Sequence, residues 1–322
     1  MGLLLFEVSV PGSLMLFGEH AVLHGKMAIV AAIDARMHVT LTPNDKNKIF
    51  ISSSLENLEL NLNNLAQNVT EKLATSLLVY VLESIHYVNK EHKITVGFDL
   101  NILDGNLKKS SGFGSSAAVV VGVLLVMNKF FSLSINEELI FKQALYVVHK
   151  VQGGLGSGAD VAASIYGGII AYQNFAPQKF LSTTLDLMAI YCGYKTKTAD
   201  VIKIINDKIT KENYKNLYNY IFSSLDDCSK LAITAIEQRD LNILGVLMNI
   251  AHGLLSGLGV VDPTLDKLAT NLRAQSTIYG AKISGAGLGD CVIGLGELNL
   301  DNSIFTEEQF IIKTTHRGII WQ

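Results

Sequence analysis

The stretch SSGFGSSAA, residues 110–118, leads directly into the apolar run VVVGVLLVM. Gly112 and Gly114 allow positive φ angles and carry no Cβ, so the backbone can come close to an anion. Ser115 and Ser116 add hydroxyls where a helix is expected to begin, and the helix dipole favours negative charge there. The stretch therefore predicts either a phosphate-binding loop or an ordinary core helix after a flexible loop, since short glycine motifs often occur by chance.

The composition favours a soluble protein with a small-molecule ligand. The 322 residues are enough for two domains, and 49% of them are hydrophobic. A formal net charge of -3 argues against a broad nucleic-acid or anionic-membrane surface. The three cysteines lack CxxC spacing, which fits reduced thiols, and the longest apolar run is too short to span a membrane. The first ten residues lack the basic segment of a signal peptide, so a cytoplasmic location is expected.

Strand-like and helix-like patterns alternate along the chain, which predicts an α/β or α+β fold. A first strand is expected at residues 3–10, helices at 69–89 and 136–152, a connection at about 177–184 and a mainly helical stretch at 200–273. A strand, a glycine loop and another strand follow this stretch, which gives the second half a sheet of its own. We place the boundary near residue 175, giving domains 1–175 and 176–322.

Two further glycine-rich segments accompany the first one. They are GEHAVLHGK, which begins at Gly18, and SGAGLGD, which begins at Ser284. Catalytic groups commonly sit on loops that a rigid scaffold holds in place. Three such loops in one chain favour a functional interpretation over three unrelated turns.

Three segments in order carry a resemblance to a known family: PGSLMLFGEHAVLHGKMAIVAAID from Pro11, SSGFGSSAA from Ser110, and AKISGAGLGDC from Ala281. Through them the chain resembles the GHMP kinase superfamily, and MNIAHGLLSGLGV from Met248 makes it most similar to the mevalonate kinase branch. The resemblance implies an α+β fold of two domains, ribosomal S5-like at the N-terminus and ferredoxin-like at the C-terminus, with the active site in the cleft between them. It also implies phosphorylation of a small alcohol, with ATP and Mg²⁺ as cofactors.

The same resemblance assigns roles to individual residues. It implies that the nucleotide phosphates are bound by residues of the second and third loops: Ser110, Gly112, Gly114, Ser115, Ser116, Ala117, Gly285 and Gly287. Ser116 would also be a Mg²⁺ ligand. Substrate contacts are implied for Glu19, His20, Ser157 and Ala286.

Asp160 occupies the position of the family's catalytic aspartate. A carboxylate beside the acceptor hydroxyl can orient that hydroxyl and take its proton during phosphoryl transfer. Residue preferences alone favour another role, in which Asp160 caps a helix that begins at Val161. The motif around Asp160 favours the catalytic role.

Two positions depart from the family pattern. Ser13 stands where most mevalonate kinases have a lysine that lowers the aspartate pKa and stabilises charge on the phosphoryl group. Lys26 and Lys195 are the candidate replacements. His149 stands where animal enzymes have a Mg²⁺-binding glutamate, and histidine is a poorer ligand for this hard ion. Either Ser116, water and the phosphates hold the metal, or the local alignment is shifted.

The first expectation is therefore a kinase whose partner is mevalonate, without nucleic acid or membrane, and possibly a homodimer. A phosphomevalonate or sugar kinase is an alternative, since GSGADVA from Gly156 resembles phosphomevalonate kinases. Phosphomevalonate would require an additional cationic cluster, and none is obvious in the sequence. A non-catalytic binding protein of the same fold is the third alternative, motivated by Ser13 and His149.

Overall fold

The computed structural model describes residues 5–73, 75–76, 78–107, 112–211, 214–297 and 305–322. Ser110, one of the expected phosphate contacts, lies outside these ranges. The strands are β1 (Phe6–Phe17), β2 (Ala28–Pro43), β3 (Lys48–Ser53), β4 (Asn57–Asn61), β5 (Phe98–Leu103), β6 (Ile169–Gln173), β7 (Ala176–Leu181), β8 (Asp186–Tyr191), β9 (Ile278–Ser284), β10 (Cys291–Gly296), β11 (Gln309–Lys313) and β12 (Ile320–Trp321). The helices are α1 (Leu65–Leu73), α2 (Val79–His92), α3 (Ser115–Phe130), α4 (Glu137–Val151), α5 (Ala159–Tyr166), α6 (Thr198–Lys211), α7 (Lys215–Gln238), α8 (Leu241–Leu258) and α9 (Pro263–Arg273).

The first sheet has the order β12-β1-β2-β5-β3-β4, and β6 joins it by pairing with β2 and β7. Helices α3 and α5 pack against β1 and β2. Residues 117–128 of α3 are buried throughout, which explains why this segment is almost entirely apolar. The packing fixes the N-termini of α3 and α5 relative to β1.

The second sheet is antiparallel, with the order β11-β8-β10-β9. Helices α8 and α9 pack on β9, and α7 packs on α8. The two sheets, each with its own helices, give the expected α+β fold. The boundary at residue 175 stays a prediction; β7 follows that residue and pairs with β6, and β12 returns to pair with β1.

Two segments differ from the sequence-based expectation. The first strand, expected to end at Val10, continues to Phe17, because register shifts between Pro11 and Ser13 and between Met15 and Phe17 keep it paired with β2. The expected connection at residues 177–184 contains most of β7, whose Phe180 pairs with Ile170. In both places backbone pairing with a neighbouring strand overrides the local turn signals.

Helix α8 is long and apolar enough, by length and composition, to cross a membrane. Leu244, Leu247, Met248 and Ala251 are buried, and the helix packs against α7 and β9. Burial therefore accounts for the apolar character of the face of α8 that carries these residues.

Candidate active site

A cavity of about 550 Å³ is lined by residues from both halves of the chain. Its volume is in the range of small-molecule sites. The expected site residues that line it are Glu19, His20, Gly112, Gly114, Ser115, Ser116, Ala117, Ser157, Asp160, Gly285 and Ala286. The fold thus brings segments from all three glycine loops to one place.

Gly287 is placed differently from the expectation. It is not among the residues that line the cavity, and a Cβ at this position would overlap the carbonyl oxygen of Val260. The neighbouring Leu288 N–H donates a 2.8 Å hydrogen bond to the same carbonyl. Gly287 therefore allows the third loop to pack closely on the segment after α8.

The second glycine loop has the backbone geometry that its residues predict. Gly112 and Gly114 have φ angles of 76° and 67°, in the left-handed region that favours glycine. Helix α3 begins at Ser115, directly after them. Because the first N–H groups of a helix have no partner within it, those of Ser115 and Ser116, which have no backbone partner among the described residues, can bind an anion in the cavity.

Asp160 lies in the first turn of α5 and does not cap it. The helix begins at Ala159, and its N-cap is Gly158, which has a φ of 78°. The capping role is therefore wrong. Oδ1 of Asp160 instead accepts a 2.8 Å hydrogen bond from the hydroxyl of Ser13 on β1.

Burial raises the pKa of the Asp160 carboxyl, and the hydrogen bond from Ser13 and the charge of Lys195 oppose this rise. A carboxylate with a raised pKa is a stronger base than one in water. Asp160 therefore combines a fixed orientation with increased basicity.

Ser157 supports the start of the same helix. Its hydroxyl oxygen accepts a 3.3 Å hydrogen bond from the N–H of Ala159. Its carbonyl oxygen accepts a 2.8 Å hydrogen bond from the hydroxyl of the fully buried Tyr172. These contacts hold the backbone before Asp160 in place.

Three polar contacts join the segment that begins at Pro11 to the segment that begins at Ala281. Lys282 Nζ forms a buried ion pair with Glu19 Oε1, and the Ser284 hydroxyl donates a 2.9 Å hydrogen bond to the Met15 carbonyl. The third contact is a 2.8 Å hydrogen bond between His20 Nε2 and the Ala286 carbonyl. Sequence reasoning missed Lys282, although a lysine inside an otherwise apolar strand is a signal for a buried partner.

His20 is neutral at physiological pH. Burial lowers its pKa to about 4. A carbonyl oxygen can only accept a hydrogen bond. Nε2 of His20 therefore carries the single N–H of the neutral ring and donates the hydrogen bond to Ala286. Burial also raises the pKa of Glu19, against the opposing charge of Lys282. Both residues line the cavity, and their substrate contacts stay a prediction.

The two candidate replacements for the family lysine are in different places. Lys195 lines the cavity, and its Nζ lies 3.1 Å from Oδ1 of Asp290. Lys26 does not belong to the lining. Asp290, which the sequence did not single out, is only 6% exposed and has a φ of 65°, in the left-handed region. Of the two candidates, only Lys195 reaches the site.

The contacts of His149 do not favour metal binding. Its Nε2 donates a 2.5 Å hydrogen bond to the Gly156 carbonyl, and its ring lies beside Phe175. Among the described residues, no group of three or more histidine, cysteine, aspartate or glutamate side chains is arranged to hold a metal ion. The oxygen donors that line the cavity include Ser116 and Asp160. They fit Mg²⁺, which is commonly held by few protein ligands together with phosphates and water.

Comparison with known proteins agrees with this arrangement. The family models for the GHMP kinase N-terminal and C-terminal domains match residues 79–168 and 232–305. The mevalonate kinase of Saccharolobus solfataricus is 30% identical over 315 residues, covering 97% of this chain and 96% of that protein. The mevalonate kinase of Thermococcus sibiricus is 32% identical over 304 residues, covering 89% and 88%. The crystal structure of Methanococcus jannaschii mevalonate kinase has a TM-score of 0.80 and 25% identity, covering 97% and 98%.

Proposed function

Since this chain belongs to the GHMP kinase family, we propose that it transfers the γ-phosphoryl group of ATP to mevalonate and forms 5-phosphomevalonate. Relatives that share at least 30% of its residues over most of its length are mevalonate kinases. The proposal rests mainly on one observation: Asp160 and the N-terminus of α3 line the same cavity. It places a base and a phosphate-binding loop around one reaction centre.

In the proposed reaction, the hydroxyl oxygen of mevalonate attacks the γ-phosphorus, and the bond from that phosphorus to the bridging oxygen of ADP breaks. The hydroxyl proton passes to Asp160. Ser13 donates to Oδ1, and Oδ2 has no hydrogen-bond partner among the described residues, so we assign the proton to Oδ2. The Ser13 hydroxyl thus selects the orientation of the base.

The second and third loops bind the phosphates from opposite sides in this proposal. The N–H groups of Ser115 and Ser116 face the phosphates together with the dipole of α3. Gly285 and Ala286 close the other side. Mg²⁺, held by the Ser116 hydroxyl, would neutralise phosphate charge when it is bound.

A coupled assay of ADP release, run with mevalonate, phosphomevalonate, galactose and homoserine, tests this proposal. Each acceptor is measured with and without Mg²⁺. We expect kcat/KM for mevalonate to exceed that for each other acceptor at least about tenfold, a difference of about 1.4 kcal/mol in transition-state stabilisation. Turnover should require Mg²⁺. No turnover with any acceptor would support the non-catalytic alternative.

Phosphomevalonate is the second candidate substrate. The observation in its favour is that Lys195 and Lys197 both line the cavity, where they add positive charge. A preference for phosphomevalonate in the same assay would replace the first proposal by this one. Assembly as a homodimer and a cytoplasmic location are proposals that rest on the family resemblance and the composition; light scattering on the purified protein measures the assembly.

A further inference from the structure

Phosphoryl transfer depends on positive charge near the transferring group, since the protein contributes mainly position and electrostatics. Among the described residues that line the cavity, the lysines are Lys195 and Lys197, and arginine is absent. Lys282 is fully buried and bound to Glu19. His20 is uncharged at physiological pH. The cavity therefore has two side chains that can supply a cation.

Of these two lysines, Lys195 is the one whose side chain is held in place by an ion pair. Its ammonium pairs with the buried Asp290, while no ion pair is found for Lys197 in the described part of the chain. The backbone is fastened as well. The Asp290 N–H donates a 2.9 Å hydrogen bond to the Tyr194 carbonyl, and the Thr196 hydroxyl donates a 2.5 Å hydrogen bond to the Leu288 carbonyl. These contacts attach the segment around Lys195 to the third glycine loop.

Lys195 also acts on Asp160 across the cavity. Its charge favours the ionised form of Asp160 and lowers the pKa of that carboxyl. Asp290 and Tyr172 are titratable groups that interact with Asp160; burial is the main cause of the raised pKa of both, and the negative charge of Asp160 adds to it. On the side of β1, the space beside Asp160 is filled by the Ser13 hydroxyl, against which Gly114 packs without room for a Cβ. A cation for this site therefore comes from the second half of the chain.

We propose that Lys195 is the catalytic cation of this kinase and that Asp290 is a positioning residue that holds Lys195 toward the reaction centre. The inference rests on the proposed kinase function. The Lys195 ammonium contacts the γ-phosphoryl oxygens and stabilises their charge while the bond to the acceptor oxygen forms and the bond to ADP breaks. The acceptor proton goes to Asp160, and Lys195 keeps its own protons. In this arrangement Lys195 supplies, from the second half of the chain, the positive charge that most mevalonate kinases have at the position of Ser13.

The first test compares Lys195→Met with Lys26→Met in the assay of ADP release. We expect kcat of Lys195→Met to fall at least about 100-fold, as for the loss of one preorganised electrostatic contact. The KM values should change only a few-fold. Lys26→Met removes the same charge outside the cavity and should keep the wild-type kcat. Lys195→Arg, which retains the charge, should recover most of the activity.

A pH profile distinguishes a catalytic from a structural role. Without Lys195 the pKa of Asp160 rises, so the acidic limb of the kcat profile should move to higher pH. Loss of packing alone would lower kcat and leave this limb in place. Although the side chain of Lys195 is 46% exposed, Lys195→Met leaves the buried carboxylate of Asp290 without its cation, so we expect a lower unfolding temperature, and kcat is compared at a temperature where both proteins are folded.

Asp290→Asn tests the positioning role. We expect kcat to fall about tenfold, and the double variant Asp290→Asn/Lys195→Met to match Lys195→Met alone, because both changes remove one interaction. Additive losses would overturn the role of Asp290. An active wild type with a Lys195→Met variant within about threefold of its kcat would overturn the role of Lys195 only. A wild type that is inactive with every acceptor would overturn the kinase function itself.

Discussion

The hydroxyl of Ser13 donates a 2.8 Å hydrogen bond to Oδ1 of Asp160, although the two residues are 147 positions apart in the chain. The contact joins β1 to the first turn of α5. Gly114 packs against the same hydroxyl, so the phosphate loop meets the contact too. A serine at position 13 therefore orients the base without supplying charge.

Replacing Ser13 by alanine should slow the reaction, because the hydrogen bond that orients the base is lost. Since the hydrogen bond favours the ionised carboxyl, its loss should raise the pKa of Asp160 and move the acidic limb of the kcat profile to higher pH. We expect kcat to fall about tenfold, as for a hydrogen bond to a charged group. Ser229→Ala, whose buried hydroxyl donates to a carbonyl of its own helix, is the control. An unchanged pH profile in Ser13→Ala would contradict this role.

Gly114→Ala should damage the phosphate loop. The new Cβ would overlap the Ser13 hydroxyl, and the φ of 67° is strained for alanine. Gly153→Ala is the matched control, since its φ is 64° and nothing lies within 4 Å of its Cβ position. We expect the control to lose about 1 kcal/mol of stability from backbone strain alone. Gly114→Ala should lose more, together with ATP affinity measured by calorimetry. Equal effects of the two variants would argue against the close packing.

His20 should make the protein less stable in acid. Its pKa is about 4 in the folded state and 6.5 in the unfolded state, so the unfolded chain binds the extra proton between these values. From pH 7 to pH 5 the free energy of unfolding should fall by about 2 kcal/mol through this group. Asparagine tolerates the φ of 60° at this position. Urea unfolding of His20→Asn at both pH values should show a smaller fall than wild type; an equal fall would refute the assignment.

The buried ion pair between Glu19 and Lys282 should lower the stability of the protein when only one of its two charges is removed. Lys282→Met leaves the buried carboxylate of Glu19 without its cation, which we expect to cost about 3–5 kcal/mol of stability. Adding Glu19→Gln should recover part of the loss. Lys313→Met is the control, because its pair with Asp186 is exposed and should contribute less than about 1 kcal/mol. Urea unfolding of the four proteins measures these differences.

Local chemistry explains what the sequence predicted well. Glycines at 112 and 114 followed by serines specify a left-handed turn and a helix start, and α3 begins there. The alternative in which Asp160 caps the helix is wrong for a local reason as well. Gly158, at a φ of 78°, starts α5 earlier than residue preferences suggest, and this places Asp160 within its first turn.

The rest of the site depends on contacts between distant segments. Lys282 and Glu19 are 263 positions apart. Neither of the two motifs shows that these residues form a pair. The pairing of Lys195 with Asp290 depends on the strands β8 and β10 lying side by side. A single sequence gives the residue types at such positions, while the sheet order decides which of them meet.

Asp160 accepts the proton of the alcohol in the proposed reaction, and the rate at which Asp160→Asn phosphorylates mevalonate measures this role. Asparagine keeps the size of the side chain and loses the base, so kcat should fall at least about 100-fold. The Kd for ATP and the unfolding temperature should stay near those of wild type, and Asp207→Asn, on the exposed side of α6, should keep full activity. A kcat within about tenfold of wild type, or a loss that only follows unfolding of the variant, would contradict this role.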